Sequence, residues 1–377
     1  MKVQLVDPSA FTPPYDRALA AALVRAGAEV ELVTSRFLYG PVPPAEGYRV
    51  EQAFYRRSAA RGPDAPARLP FKTAEHVPDM LRFRRRASDA DAVHYQWLTI
   101  PSLDVHLLPA RRPRVITAHY ILPPDPSRRQ VRAARRVFDG MDAVVAHSKH
   151  SAARLRDEVG LDPAKVHVIP HGAFDYLTEQ PREKSLPAEL EGGEGPVILL
   201  FGLLRPYKGI EGLIEAYGRL AGGDAPAAEL WIVGNPRMDV EPLRRQAREA
   251  GGRVRFLTRF VDEAEIPAIF RRADLVVLPY LDAEHSGVLY IGLAFGRPLL
   301  LSEVGGFPEV AATGAARLVP PGDTEALARA LQELTSDEAA RAELAAAAVQ
   351  AAAGPYSWDE AARLHLDLYR ELIEARA

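Results

Sequence analysis

Two cations, Arg205 and Lys208, stand three residues apart in Phe201-Gly202-Leu203-Leu204-Arg205-Pro206-Tyr207-Lys208-Gly209. The apolar run Pro196-Val197-Ile198-Leu199-Leu200 before them has the composition of a buried parallel strand. After them Ile210, Leu213, Ile214 and Tyr217 recur at helical spacing. The cations are therefore expected on the loop between the carboxyl end of a strand and a helix start, where ligands bind in open α/β sheets. Gly202 has no side chain to keep a ligand from the backbone. Paired cations near a positive helix end suit a diphosphate. Taken alone, the same residues read equally well as a solvated loop with surface charges.

A second helix start lies in His285-Ser286-Gly287-Val288-Leu289-Tyr290, after the strand-like Leu275-Val276-Val277-Leu278. Ser286 is a favoured N-cap residue, and Gly287 allows close approach. The N–H groups of Gly287 and Val288 would point at an anion. An ordinary capped helix is the plainer reading of any one Ser-Gly pair. A third start, Gly305-Gly306-Phe307-Pro308-Glu309, turns through glycine into a helix with Glu309 in its first turn, where a carboxylate also simply favours the helix dipole. Three such starts in one domain argue for an anion site more strongly than one.

Four strand-like runs end near histidines: Ala92-Val93-His94, Val115-Ile116-Thr117-Ala118-His119, Ala143-Val144-Val145-Ala146-His147 and Val166-His167-Val168-Ile169-Pro170-His171. One histidine per βα unit, with no cysteine anywhere, is not the spacing of a ligand cluster, so no metal site is expected.

The elements that would carry these residues alternate. Val3–Val6 and Val30–Thr34 read as strands, with a helix from Tyr15 to Ala26 stopped by Gly27. Residues 36–70 show no period and are expected to be loops, with one strand at Tyr48–Phe54. Helices are expected over Phe71–Ala87, Ser127–Asp139 and Lys149–Val159. The first domain then spans 1–175, a polar stretch at 173–195 links it to a second alternating domain at 190–356, and an amphipathic helix from Trp358 returns to the first. The predicted fold class is α/β, two Rossmann-like doubly wound domains facing across a cleft.

A chain of 377 residues agrees with two domains, and 47% hydrophobic with 26% charged residues is a globular composition. The net charge of −3 gives no general pull toward nucleic acid. The absence of cysteine excludes disulfides and thiol nucleophiles and agrees with a reducing compartment. No signal-peptide pattern is present and no apolar run reaches the roughly 18 residues of a membrane helix, so a cytoplasmic protein is expected. Arginines cluster at Arg82-x-Arg84-Arg85-Arg86, at Arg111-Arg112-x-Arg114 and from Arg128 to Arg136, where Val131, Ala134 and Val137 interleave. They read first as a solvated face in an arginine-rich chain, and second as a weak contact with the inner membrane surface or a phosphorylated lipid acceptor.

In order along the chain, Val168-Ile169-Pro170-His171-Gly172, Phe201-Gly202-x-x-Arg205-x-x-Lys208-Gly209, Ala273-Asp274-Leu275-Val276-Val277-Leu278-Pro279, Ala294-Phe295-Gly296-Arg297-Pro298 and Gly305-Gly306-x-x-Glu309 resemble the family-four retaining glycosyltransferases of GT-B fold. The resemblance covers nearly the whole chain and is strongest from Val166 to Val319. It implies a nucleotide-sugar donor held mainly by the second domain, with Arg205 and Lys208 on its diphosphate. Ser286, Gly287 and Val288 would form the helix start over the phosphates. Gly202 and Glu309 would belong to the same donor site, and Leu257–Phe260, with Arg259, would present main chain to the base. His119 would face the transferred sugar. The family works without a metal, and the nucleotide sugar is a substrate, so no cofactor is implied.

This sequence departs from the family at two glutamates eight residues apart, whose places here are Ala283 and Ile291. Asp282 or Glu284 could replace the first by a one-residue shift; nothing nearby replaces the second, which holds the ribose. The Ser-Gly-Val form resembles a recurrent variant. The expected function is retaining transfer of a hexose to a hydroxyl acceptor on a glycan, glycolipid or small molecule. The acceptor should lie against the first domain, along loop 7–15, His94–Trp97 and the loop after His119. Two rivals are a GT-B nucleotide-sugar epimerase, for which no suitable pair of bases is evident, and a non-catalytic nucleotide-sugar-binding protein. Ala283 and Ile291 suggest the latter; His119, Arg205 and Lys208 oppose it.

Overall fold

Short apolar runs separated by helices form parallel sheets, because each crossover returns the chain to the same end of the sheet. The first sheet contains β1 (Lys2–Asp7), β2 (Glu29–Ser35), β3 (Arg49–Phe54), β4 (Ala92–Tyr95), β5 (Arg114–Thr117), β6 (Ala143–Ala146) and β7 (Val166–Val168), in the order β3-β2-β1-β4-β5-β6-β7. Leu5 pairs with Leu32 on one side and His94 on the other, so the strand order reverses between β1 and β4. The second contains β8 (Val197–Phe201), β9 (Glu229–Val233), β10 (Arg253–Leu257), β11 (Leu275–Leu278), β12 (Leu299–Ser302) and β13 (Ala316–Val319), in the order β10-β9-β8-β11-β12-β13. Its reversal falls between β8 and β11. Such reversals open a crevice at the carboxyl strand ends. Every residue of β4, β8, β9, β11 and β12 is buried, as helices on both faces of a parallel sheet require.

This computed structural model describes the chain except Pro41, Pro63, Asp64, Ala110, Arg111, Pro124, Pro181, Glu194, residues 222–227 and Ala377, with Ser88 and Ala221 described by backbone alone. Arg111, one of the clustered arginines, thus lies outside the described residues. The chain divides into two compact units: Met1–Gly172 with the segment from Trp358, and Ala173–Ser357. The first core gathers Phe54, Met80, Phe83, Tyr95 and Leu155; the second gathers Ile198, Leu200, Tyr217, Ile232 and Leu331. Burying each such side chain stabilises by about 1.5–3 kcal/mol.

The closing helix Trp358–Glu374 turns Trp358, Ala361, Ala362, His365, Leu366, Leu368 and Tyr369 inward, the one-face spacing of an amphipathic helix. Helix Arg128–Asp139 starts at a capping box made by Ser127 and Gln130. It directs Val131, Ala134, Val137 and Phe138 into the first core and leaves Arg128, Arg129, Arg132, Arg135 and Arg136 exposed. The apolar residues among the arginines are therefore core residues, not a face free to enter a bilayer. No helix of the described residues is long and apolar enough to cross a membrane.

Several boundaries differ from the sequence expectation. The aperiodic 36–70 region adds a one-turn helix, Arg56–Ala59, and the next helix begins at Arg68 and carries Pro78 inside it. The described part of 173–195 belongs to the second unit and buries Leu177 and Leu190. Helix Ile210–Ala221 does not start at Lys208. Pro206–Lys208 instead form a 3-10 turn, which Gly209 ends at φ 65°.

Candidate functional site

The 3-10 turn after β8 folds Lys208 back beneath the strand end. The side chain is not on an open loop: Lys208 is 4% exposed, and its Nζ donates to the Phe201 carbonyl at 3.1 Å. Nζ also lies 5.0 Å from the centre of the Tyr280 ring. Burial pushes the ammonium down to about 8, against a smaller opposing effect of Tyr207 and reinforced by the charge of Arg205. Gly202 sits at φ 103°, and a Cβ there would lie 2.9 Å from Lys208 Nζ and 3.0 Å from Val288 Cγ2. The absence of a side chain at Gly202 thus lets the end of β8, the lysine and the start of helix Gly287–Ala294 meet. Arg205 is exposed on the same loop, and its guanidinium makes no hydrogen bond or ion pair among the described residues.

Ser286 occupies the N-cap position, but its hydroxyl does not cap the helix. It bonds Tyr280 OH at 3.2 Å instead, both groups being buried. The first-turn N–H groups of Gly287 and Val288 have no acceptor within their own helix. Gly287 is exposed and Val288 buried. Burial pushes His285 down to about 4, so this ring is neutral at pH 7. The Glu284 carbonyl accepts from Gly306 N at 3.1 Å, which ties this loop to the third glycine turn. Glu309, half-buried in the first turn of Phe307–Ala311, donates its N–H to the Gly306 carbonyl at 3.2 Å. Ala283 is half-buried and Ile291 is buried in the helix. The Arg259 guanidinium is held by Glu265 at 2.8 Å through both nitrogens, which keeps the Glu265 carboxyl below its usual range. The Arg259 side chain is thus committed locally.

In the first unit, His119 follows β5. Its Nε2 bonds Gln96 Oε1 at 3.0 Å, and its ring stacks on Trp97 at 5.3 Å and meets the edge of Tyr15 at 4.8 Å. His147, His171 and Trp358 join the same aromatic cluster around Tyr15. His94 is packed elsewhere: it bonds Tyr369 OH at 2.6 Å and Thr117 Oγ1 at 2.8 Å, and burial holds it well below its usual range. Among the described residues no three His, Cys, Asp or Glu side chains are placed to hold a metal ion.

Three features were not singled out in the sequence, although Gln96 and Asp7 fall in the segments His94–Trp97 and 7–15 expected to line the acceptor. Tyr280 and Gln96 each lie just past a strand end, at positions like that of Gly202, and that placement is the signal that could have found them. The third is a pair of buried carboxyls. Asp7 ends β1 and accepts from the backbone N–H groups of Ser9 (3.2 Å), Phe11 (2.5 Å) and Thr12 (3.0 Å). Asp16 lies beside it and accepts from Thr12 Oγ1 at 3.3 Å. Burial first, then the charge of Asp7, pushes Asp16 well above the usual carboxyl range; Asp7 is raised as well, chiefly by burial. Asp16 is thus the further raised of the pair, and Asp7 gathers the loop through its three backbone bonds.

Residues 17–173 match the family described as Glycosyltransferase Family 4, and residues 195–337 match Glycosyl transferases group 1. The D-inositol 3-phosphate glycosyltransferase of Kineococcus radiotolerans is 27% identical over 95% of this chain and 90% of its own. The phosphatidyl-myo-inositol mannosyltransferase of Mycolicibacterium smegmatis is 36% identical over 40% of this chain and 38% of its own. Among solved structures, sucrose-phosphate synthase from Thermosynechococcus elongatus superposes with a TM-score of 0.73 at 19% identity, covering 100% of both chains. Anabaena HepE in complex with UDP and glucose superposes with a TM-score of 0.73 at 21% identity, covering 99% of this chain and 100% of its own.

Proposed function

Because the chain belongs to the family-four glycosyltransferases and has the GT-B fold, we propose that it moves a hexose from a nucleotide-sugar donor to a hydroxyl acceptor, with retention at the anomeric carbon. One observation carries the donor part: Gly202, Lys208 and Val288 converge at the carboxyl end of β8, beside the start of helix Gly287–Ala294. A buried ammonium without a carboxylate partner among the described residues, next to first-turn N–H groups, suits a diphosphate. The UDP held by HepE supports a nucleotide leaving group, and the inositol phosphate in the relatives' names supports a polyol acceptor.

As the glycosidic bond breaks, the departing diphosphate gains negative charge. Lys208, Arg205 and the helix start stabilise that charge more in the transition state than in the ground state. The acceptor hydroxyl attacks the face the diphosphate leaves, and the diphosphate takes the hydroxyl proton. His119 would contact the transferred sugar. The proposed reaction uses neither metal nor cofactor. Glu309, Glu284 and the main chain at Arg259 complete the proposed donor contacts. The exposed arginines of helix Arg128–Asp139 favour a weak electrostatic contact with an anionic membrane, which sedimentation with phosphatidylglycerol vesicles at low and high salt would read.

The deciding experiment incubates the protein with a panel of UDP-, GDP- and ADP-hexoses and follows both nucleotide release and sugar transfer to polyols. Transfer with the α configuration retained supports the reading. Epimerised donor, or nucleotide binding without turnover, would replace it.

A further inference from the structure

The carboxyl ends of β1, β2 and β3 surround a small cavity that opens to solvent. Arg36, Arg68 and Lys72 line it, and no carboxylate does among the described residues. Lys72 is half-buried on helix Arg68–Arg86. Its Nζ donates to Ser9 Oγ at 2.9 Å, and Ser9 Oγ shares a hydrogen bond with Thr99 Oγ1 at 2.8 Å. The same Nζ lies 4.8 Å from the centre of the Tyr55 ring. The ammonium thus meets a hydroxyl and a ring face, with the nearest carboxylate effect coming from Asp7. Burial, then the charge of Arg68, holds the ammonium below the usual lysine range, against a smaller opposing effect of the Asp7 carboxylate.

Tyr55 shows that this wall is built rather than incidental. Its backbone is left-handed, at φ 55° and ψ 35°, a region that bulky residues enter only under outside constraint. The constraint is Asp79, whose Oδ2 accepts from Tyr55 N at 2.8 Å. The Tyr55 hydroxyl bonds His76 Nδ1 at 2.6 Å, and His76 Nε2 bonds Asp104 Oδ1 at 2.5 Å. Asp104 also accepts from Ile100 N at 2.9 Å, and all three side chains are buried. Asp104 assigns the His76 proton to Nε2, so Nδ1 accepts from Tyr55. His76 and Asp104 are positioning residues: they fix the phenol that forms one wall of the cavity.

We propose that this cavity is a subsite for a phosphate monoester carried by the acceptor, with Lys72 as its anchor, Arg36 and Arg68 closing on its remaining charge, and Ser9 donating a hydroxyl. The inference rests on the glycosyltransferase reading for the word acceptor, and on the cavity alone for the phosphate. Arginine and lysine together suit a dianion with three terminal oxygens, because charge-assisted bonds to such oxygens are the strong ones.

The test measures binding of D-inositol 3-phosphate, with myo-inositol as the uncharged control, by calorimetric titration of the full chain. Wild type should bind the phosphorylated probe and discriminate against the control. Lys72→Met should weaken the phosphorylated probe about tenfold to hundredfold, the range for one hydrogen bond to a charged group. Arg36→Gln, an exposed position, repeats the test should Lys72→Met fail to fold. His76→Phe should lower the preference for the phosphorylated probe over the control, a ratio that general damage to the fold would leave alone. Vesicles of phosphatidylcholine with and without a phosphorylated inositol headgroup assign the source: Lys72-dependent binding to the former alone means a lipid acceptor. Equal binding of probe and control by wild type, or undiminished binding by both Lys72→Met and Arg36→Gln, overturns the subsite. A separate titration with UDP, GDP and ADP reads the transferase reading. A chain that binds the phosphate probe but no nucleoside diphosphate keeps the subsite and loses the transferase.

Discussion

A lysine ammonium buried without a carboxylate is held at a cost, and Lys208 shows that cost as a value lowered to about 8. Lys208→Met keeps the length of the side chain and removes the charge. Turnover with saturating donor should fall about 10²–10³-fold, the range for losing one preorganised donor at a developing oxyanion. The melting temperature should hold or rise, because the variant no longer buries a charge. A variant that transfers sugar at the wild-type rate would place the diphosphate elsewhere. The same residue predicts a pH effect. Below about 8 the donor-free protein carries the charge and above it does not, so affinity for UDP should decline as pH rises through that value. Lys208→Arg, which cannot discharge in that range, should remove the step; UDP titrations between pH 7 and 9.5 would show it. The sequence revealed that Arg205 and Lys208 share a loop, because a strand and a helix bracket them. It did not reveal that one is exposed and the other buried. That difference depends on Val288, which closes on Gly202, and on the Tyr280 ring, both brought in from other parts of the fold.

At the scale of elements, the parallel strands were legible because strands buried on both faces read as unbroken apolar runs. The 3-10 turn Pro206–Lys208 and the one-turn helix Arg56–Ala59 were not, since three or four residues show no period. Ser286 had the right type for a cap, but a hydroxyl bonds the partner it meets, here Tyr280. The loop after β1 was visible as a loop, and the carboxyl pair that shapes it was not, because Asp7 and Asp16 meet only when the helix Pro13–Arg25 folds back. Both values are raised in the folded state. Stability from the neutral form is therefore complete below the unfolded value, about 3.9, and lost as pH rises through the folded one. Asp16→Asn keeps a neutral donor toward Asp7 at every pH. Its melting temperature relative to wild type should climb as pH is raised from 4 to 8. A constant difference across that range would mean that Asp16 is ionised in the native protein.

At the scale of the whole molecule, the closing helix completes a unit whose other residues ended at Gly172. A Cβ at Gly172 would lie 2.3 Å from Trp358 Cδ2, so the indole rests directly on the glycine backbone. Gly172→Ala should destabilise the first unit, and deleting residues from Trp358 onward should do so further. The deletion removes the Tyr369 hydroxyl from His94 and uncovers the face of helix Pro13–Arg25 that the closing helix covers. Calorimetry should show the first unit's transition shifted down while the second unit's stays in place. A deletion variant with an unshifted first transition would make the closing helix dispensable.

The discontinuity also sets an order during synthesis on the ribosome. The first 172 residues are made before any residue of the second unit, yet the unit they belong to is complete only with the last residues of the chain. For that interval the first 172 residues wait without the helix that covers them, and His94 and Trp358 have yet to find their partners. A pause in translation just before Trp358 would therefore yield a chain whose first unit is still open to chaperones and proteases.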